Sequence, residues 1–225
     1  MQPSDPTDIP TAAPLEGVAR SRRRHIPNAL TAARVVLAAV LVVLLSSISS
    51  DAWAEAGAPI TMSAALAIFV LAAVTDALDG HLARKWGVVS AFGRVMDPFA
   101  DKLLVLGALV LLAGPAFVHD GRSLSGVAPW MVVVVLGRDL LVTSIRGLYE
   151  ARGVDFSAGF AGKLKMIVQS VAIPVILLAL ALHQPMGSAS VVTARVAAWS
   201  VVLVTAWSAA PYVRRAIRAE RGLRA

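Results

Sequence analysis

The chain has 225 residues, 57% of them hydrophobic and only 16% charged, with a mean hydropathy of +0.73. Soluble domains carry about 25% charged and 45–50% apolar residues, so the composition excludes an ordinary water-soluble fold and points to an integral membrane protein. There is no cysteine, which rules out disulfide scaffolds, thiolate zinc sites and cysteine nucleophiles. The formal charge of +7, from 21 Lys and Arg against 14 Asp and Glu, is accounted for by membrane topology and contact with anionic lipid, without nucleic acid.

Residues 1–25 begin with Pro3, Pro6, Pro10 and Pro14 among small polar residues and end in Arg20, Arg22, Arg23 and Arg24. No apolar run follows the first Met, so this is not a signal peptide; a disordered basic cytoplasmic tail is expected. A membrane-spanning helix needs about 20 mostly apolar residues, and six stretches supply them: 29–48, 59–78, 95–118, 128–149, 166–182 and 191–213. None alternates like a barrel strand, and lipid requires backbone groups to be satisfied internally. The predicted fold is all-α, with six transmembrane helices in a domain over 26–213 and a second basic tail over 214–225. No internal repeat of the kind found in transporters is present.

Basic residues orient the bundle. Arg84, Lys85 and Arg94 lie in or beside the second connection, and Arg146, Arg152, Lys163 and Lys165 lie in or beside the fourth. The tail holds Arg214, Arg215, Arg218, Arg221 and Arg224, while the first and fifth connections hold no Lys or Arg and the third only Arg122. The positive-inside rule places both termini and the even connections in the cytoplasm.

Four acids stand apart from those of the tails and connections. Asp76 and Asp79 close the second stretch, and Asp97 and Asp101 open the third. Spacings of three and four residues put each pair on one helix face, and the short connection between them lets the faces converge. Four carboxylates at a membrane boundary repel one another and are costly to desolvate, unless some are protonated or divalent cations neutralise them. All-oxygen ligation suits Mg²⁺, Mn²⁺ or Ca²⁺. The simpler alternative makes each Asp an interfacial cap or a partner for Arg84, Arg94 or Lys102. Gly80 permits close backbone approach, Ala83 keeps the surface thin, and Arg84 offers a fork of donors suited to phosphate.

Together these residues read Asp76-x2-Asp79-Gly80-x2-Ala83-Arg84-x8-Gly93-x3-Asp97-x3-Asp101. Every spacing matches the signature of the CDP-alcohol phosphatidyltransferases, and the chain resembles that family over nearly its whole length. The resemblance implies a six-helix membrane enzyme of the inner membrane, usually a homodimer. Such an enzyme transfers a phosphatidyl or similar group from a CDP-linked donor to an alcohol and releases CMP. It further implies that Asp76, Asp79, Asp97 and Asp101 hold two divalent ions, Mg²⁺ or Mn²⁺, and that Asp101 also acts as base. Gly80, Ala83 and Gly93 would line the cytidine pocket, with Arg84 near donor phosphate.

A second, cationic feature bears on the acceptor. Arg138 sits within the fourth stretch, Arg146 near its end, and Lys163 and Lys165 open the fifth helix. Four cations around one cytoplasmic pocket would suit an acceptor phosphate; alternatively, Arg138 pairs with Asp139 and the two lysines are topology anchors. Three further local patterns are Ile26-Pro27-Asn28-Ala29-Leu30-Thr31-x2-Arg34, Arg138-Asp139-x4-Ser144-x-Arg146 and Gly162-Lys163-x-Lys165-x3-Gln169. They resemble the glycerol-phosphate branch of the family, in whose commoner members Glu stands where this chain has Asp139. That likeness implies CDP-diacylglycerol as donor and glycerol 3-phosphate as acceptor, with Asn28 and Thr31 on the donor side. Asn28 and Thr31 also read as a helix N-cap with Pro27 at the helix start. Arg34, one turn beyond Thr31 on the same face, is expected to face the site.

Asp97-Pro98-x-Ala100-Asp101-Lys102 is shared with cardiolipin synthases of the same family, which take phosphatidylglycerol as acceptor. A divalent-cation transporter would use the acids but leave Gly80, Ala83, Arg84 and Gly93 unexplained, and would need sites near the midplane. His25, His81, His119 and His183 show no ligand spacing, Trp53, Trp86 and Trp130 fall near boundaries as an interfacial belt, and no Walker loop, nucleophile elbow or dinucleotide fingerprint occurs.

Overall fold

Helical periodicity dominates the chain. The computed structural model describes residues 13–49, 53, 57–86, 91–119, 121–152, 159–182 and 188–222. Six α-helices run through these residues: α1 (Ala13–Ser46), α2 (Gly57–Trp86), α3 (Ala91–Leu112), α4 (Pro129–Glu150), α5 (Phe160–Ala181) and α6 (Ser188–Gly222). Each buries a stripe whose members recur every three or four residues, the spacing that keeps side chains on one helix face. On α2 the stripe is Ala58, Met62, Ala65, Phe69 and Ala72; on α1 it is Ala38, Leu41 and Leu45. α1 packs along α2 and α3, α5 along α6 and α2, and α4 along α6, so one apolar core joins all six helices.

The outer faces are apolar as well. Val43, Ile60, Val133, Ile167 and Val196 all point outward and are exposed, the reverse of a soluble surface. Four helices carry stretches long and apolar enough to cross a membrane: Ala29–Ser46 in α1, Ala58–Leu78 in α2, Phe160–Ala181 in α5 and Ala189–Arg221 in α6. α3 and α4, with 22 residues each, interrupt their apolar runs with Asp97, Asp101 and Lys102 in one and Arg138, Asp139 and Arg146 in the other. All six of those residues line a single cavity. The chain is a helical membrane protein, and the charges within α3 and α4 furnish much of this cavity.

Several limits differ from those expected. The third stretch, expected to reach residue 118, ends as a helix at Leu112. Pro115 disfavours helical backbone at the residue before it, and Gly114 is extended, with φ −75° and ψ 165°. A 3-10 turn (Pro115–Phe117) follows, then β1 (Val118–His119), paired antiparallel with β2 (Arg122–Ser123). An all-α prediction does not contain this small hairpin. Trp53, expected in an interfacial belt, packs edge-on to Phe117 and donates its indole N–H to the Ala116 carbonyl at 2.7 Å.

α5 starts at Phe160, six residues before the expected 166, and both tails are partly helical. α1 begins at Ala13, because Leu15, Glu16, Ala19 and the arginines are good helix formers and Pro14 falls in the first turn, where proline is tolerated. Asn28 and Thr31 are therefore helix-interior residues and not an N-cap. α6 continues to Gly222 and is tied to α4 there. The Tyr149 hydroxyl donates to the Ala216 carbonyl at 2.9 Å, and Arg152 pairs with Glu220 at 3.0 Å. Residues 1–12 and 223–225 lie outside the described residues.

The connection into α4 crosses α6 closely at Gly126. Its φ is +68°, and a Cβ built there would lie 2.5 Å from the Arg195 Cα and 2.8 Å from its N. Left-handed backbone costs a non-glycine residue about 1–2 kcal/mol and overpacking about 1–3 kcal/mol more. Gly126→Ala is expected to destabilise the protein by about 2–4 kcal/mol, read as a lowered melting temperature in detergent; an unchanged value would mean that α6 yields at Arg195.

Candidate active site

The buried stripes turn polar at one end of the bundle. On α1 the stripe Leu45, Leu41, Ala38 continues into Arg34 and Thr31, which are 1% exposed. On α2 the steps through Phe69 and Ala72 continue to Asp76, and on α3 those through Leu104 and Ala108 run back to Asp101 and Asp97. α4 leads from Val135 to Arg138, Asp139 and Arg146, α5 from Ala172 through Gln169 to Lys165, and α6 from Val201 through Thr205 and Ser208 to Tyr212. Burial on a regular helix places these groups, with no specialised loop needed.

They enclose a cavity of about 500 Å³ lined by Asp76, Asp97 and Asp101 on one side and Arg138, Arg146 and Lys165 on the other, with Lys102, Asp139 and Tyr212. The carboxylates are held from α1. The Arg34 Nη1 lies 2.6 Å from Asp76 Oδ1 and 3.7 Å from Asp97 Oδ1, and the Thr31 hydroxyl donates to Asp97 Oδ1 at 2.8 Å. The Asp76 and Asp97 side chains remain 49% and 45% exposed, whereas Arg34 is 2% exposed. Arg34 therefore reaches the acids from inside the bundle, while Asp76 and Asp97 themselves line the cavity.

On the cationic side Asp139 is the hub. Lys165 Nζ donates to its Oδ2 at 2.9 Å and Arg138 Nη1 to its Oδ1 at 3.2 Å, all three side chains being about nine-tenths buried. The Arg138 guanidinium also lies over the Tyr212 ring, 5.6 Å from its centroid, a favourable cation–π placement. The Nε and Nη2 of Arg138 and the Nε of Arg146 are buried without a hydrogen-bond partner among the described residues. Arg146 pairs with Glu150 at 3.2 Å through another nitrogen. Buried donors left unsatisfied are costly, and at a cavity wall they suit an anionic ligand.

The geometry brings together Asp76, Asp97, Asp101, Arg138, Arg146 and Lys165 of the residues expected from sequence, and it brings Thr31 to Asp97. Lys163 is exposed and does not line the cavity, to which α5 contributes Gly162, Lys165 and Met166. The helical backbone at Asn28, Asp79, Gly80, Ala83, Arg84 and Gly93 is described, and their side-chain surroundings lie outside the described residues. Asp139 and Tyr212 were not foreseen as parts of the site. The pairing of Asp139 with Arg138 was legible as an alternative, and Tyr212 continues the α6 stripe by the same spacing as Thr205 and Ser208.

The oxygen-only donors suit a hard divalent cation, and Asp76 and Asp97 already share one positive partner in Arg34. Among the described residues, no three acidic or histidine side chains come close enough to hold a metal ion. Asp79 and movement of Arg34 would have to complete such a site.

Residues 24–207 match the family model described as CDP-alcohol phosphatidyltransferase. A Bacillus subtilis protein named CDP-diacylglycerol–glycerol-3-phosphate 3-phosphatidyltransferase is 33% identical over 193 residues, covering 84% of this chain and 93% of the relative. A Mycobacterium tuberculosis protein named "Probable phosphatidylglycerophosphate synthase" is 38% identical over 206 residues, covering 91% and 88%. A Cereibacter sphaeroides protein with the same name as the Bacillus one is 35% identical over 167 residues, covering 73% and 68%. The matched segment contains every acid and cation of the cavity, and the chain belongs to the CDP-alcohol phosphatidyltransferase family.

Proposed function

We propose that this chain transfers the phosphatidyl group of CDP-diacylglycerol to the hydroxyl of sn-glycerol 3-phosphate, giving phosphatidylglycerophosphate and CMP. The observation that carries the reading is the two-sided cavity, with carboxylates from α2 and α3 facing buried cations from α4 and α5. A phosphate monoester acceptor calls for more positive charge than a lipid diester, and Arg138 brings two buried donors that no group among the described residues satisfies. The names carried by relatives that span most of this chain support the same substrates.

In this reading Asp76, Asp79, Asp97 and Asp101 hold two divalent ions, Mg²⁺ or Mn²⁺. When bound, they neutralise charge on the donor pyrophosphate and on departing CMP. Gly80, Ala83, Arg84 and Gly93 flank the donor's nucleotide and phosphates, with Asn28 and Thr31 beside them. Arg138, Arg146 and Lys165 fix the acceptor phosphate and so aim its free hydroxyl across the cavity. Asp101 takes the proton of that hydroxyl as the new O–P bond forms, and the P–O bond to CMP breaks. A base within hydrogen-bond reach of the hydroxyl is sufficient for this step.

The charge pattern of the connections supports six membrane crossings with both termini and the cavity at the cytoplasmic face of the inner membrane. Residues 26–213 form the catalytic domain between the two basic ends, in a homodimer. A boundary site lets the lipid donor arrive from the bilayer and the soluble acceptor from the cytoplasm.

Purified protein supplied with CDP-diacylglycerol and Mg²⁺ is expected to release CMP with glycerol 3-phosphate, and not with phosphatidylglycerol. Removing the base in Asp101→Asn should lower kcat by about 10²–10⁴-fold, and a chelator should abolish turnover in both proteins. Turnover with phosphatidylglycerol alone would replace the acceptor in this reading by a lipid.

The cationic wall gives a separate expectation. A hydrogen bond to a charged group contributes about 1.5–3 kcal/mol, or about 10–100-fold in binding. Arg138→Met and Lys165→Met should each raise the KM for glycerol 3-phosphate by that factor while the KM for CDP-diacylglycerol stays within about threefold. Equal rises in both constants would place these cations at the donor instead.

A further inference from the structure

We propose that Arg34 is the resident counter-cation of the acidic site. Its guanidinium holds Asp76 and Asp97 at their working separation before a divalent ion arrives, and it is the group with which that ion competes for the two carboxylates. The inference rests on the reading of these aspartates as metal ligands.

Arg34 belongs to α1, outside the acidic motif of α2 and α3, and is almost wholly buried. Its Nη1 is 2.6 Å from Asp76 and 3.7 Å from Asp97, so one nitrogen serves acids from two helices. A guanidinium does not lose its proton in proteins, so its charge is permanent and can only be shared or moved aside. Thr31, one turn earlier on the same face, orients the same Asp97 oxygen at 2.8 Å. α1 thus supplies both a charge and a directed hydrogen bond from the buried side to acids that line the cavity.

The consequence for metal affinity has a definite sign. A charge of +1 about 5 Å from a divalent ion opposes its binding by roughly tenfold even at the dielectric constant of water. Taking the guanidinium away removes that opposition. It also leaves the carboxylates with less compensation when no metal is bound, which destabilises the fold. Arg34 is thus a positioning residue that trades metal affinity for an acidic site that stays assembled without metal.

The test uses the full-length protein in detergent. Mn²⁺ binding is measured by electron paramagnetic resonance of the free ion, and thermal unfolding is followed in EDTA and in increasing Mg²⁺. The proteins are the wild type, Arg34→Lys and Arg34→Gln. The lysine variant keeps the charge but loses the planar fork, so Mn²⁺ affinity should rise in the order wild type, Lys, Gln, with about tenfold between the ends. Arg34→Gln should melt below wild type in EDTA, and Mg²⁺ should raise its melting temperature more than that of wild type. If the glutamine variant does not fold, the lysine variant alone decides, with an expected gain of about threefold. Equal or weaker Mn²⁺ binding in the variants overturns the proposal and leaves the metal reading intact. No Mn²⁺ bound by any of the three proteins overturns both.

Discussion

Compensation of buried charge at one end of the helix bundle is the constraint on which the rest of the structure depends. Each helix presents an apolar stripe to its neighbours for most of its length and a polar or charged group at the same end. Charges in a low-dielectric setting are tolerated only when paired, so the six ends must converge. Arg34 meets Asp76 and Asp97, and Asp139 meets Arg138 and Lys165. These pairings connect α1 to α2 and α3, and α4 to α5, at the level of the cavity. The apolar packing below would allow some sliding of one helix past another, but the ion pairs fix the register.

That arrangement also bears on where the proposed reaction would occur. The outer faces of the helices are apolar and exposed, so the protein meets lipid around its circumference. The cavity lies where α2 and α3 are joined, at the end rich in arginine and lysine. A lipid-linked donor and a water-soluble acceptor share no other common ground than such a boundary. The C-terminal end of α6, pinned through Tyr149 at the end of α4 and Arg152 just beyond it, stiffens the wall that carries Tyr212 and, through it, Arg138.

Much of this was legible in the sequence, and the failures share a cause. The six helices follow from hydropathy, and the convergence of Asp76, Asp97 and Asp101 follows from three- and four-residue spacing at a short connection. What periodicity cannot supply is an end point: α3 stops at Leu112 because of Gly114 and Pro115, while α1 and α6 run on through arginine-rich segments that hydropathy reads as tails. Charge alone likewise favours four cations around the acceptor pocket, but helix phase admits Lys165 and turns Lys163 outward. Arg34 was expected to face the site, yet its partners depend on how α1 docks across α2 and α3, a long-range contact with no local signal.

The two walls of the cavity obey the same logic with opposite signs. Asp76 and Asp97 are held by Arg34, a cation where a divalent ion would act; Arg138 and Lys165 are held by Asp139, an anion where a phosphate would act. An internal partner of opposite charge keeps each wall in shape without ligand, which removes part of the ordering cost of binding. It also lowers net affinity, because each ligand must outbid a group already in place. For a transferase this balance is favourable, since interactions that hold the ground state too tightly do not raise the rate of the chemical step.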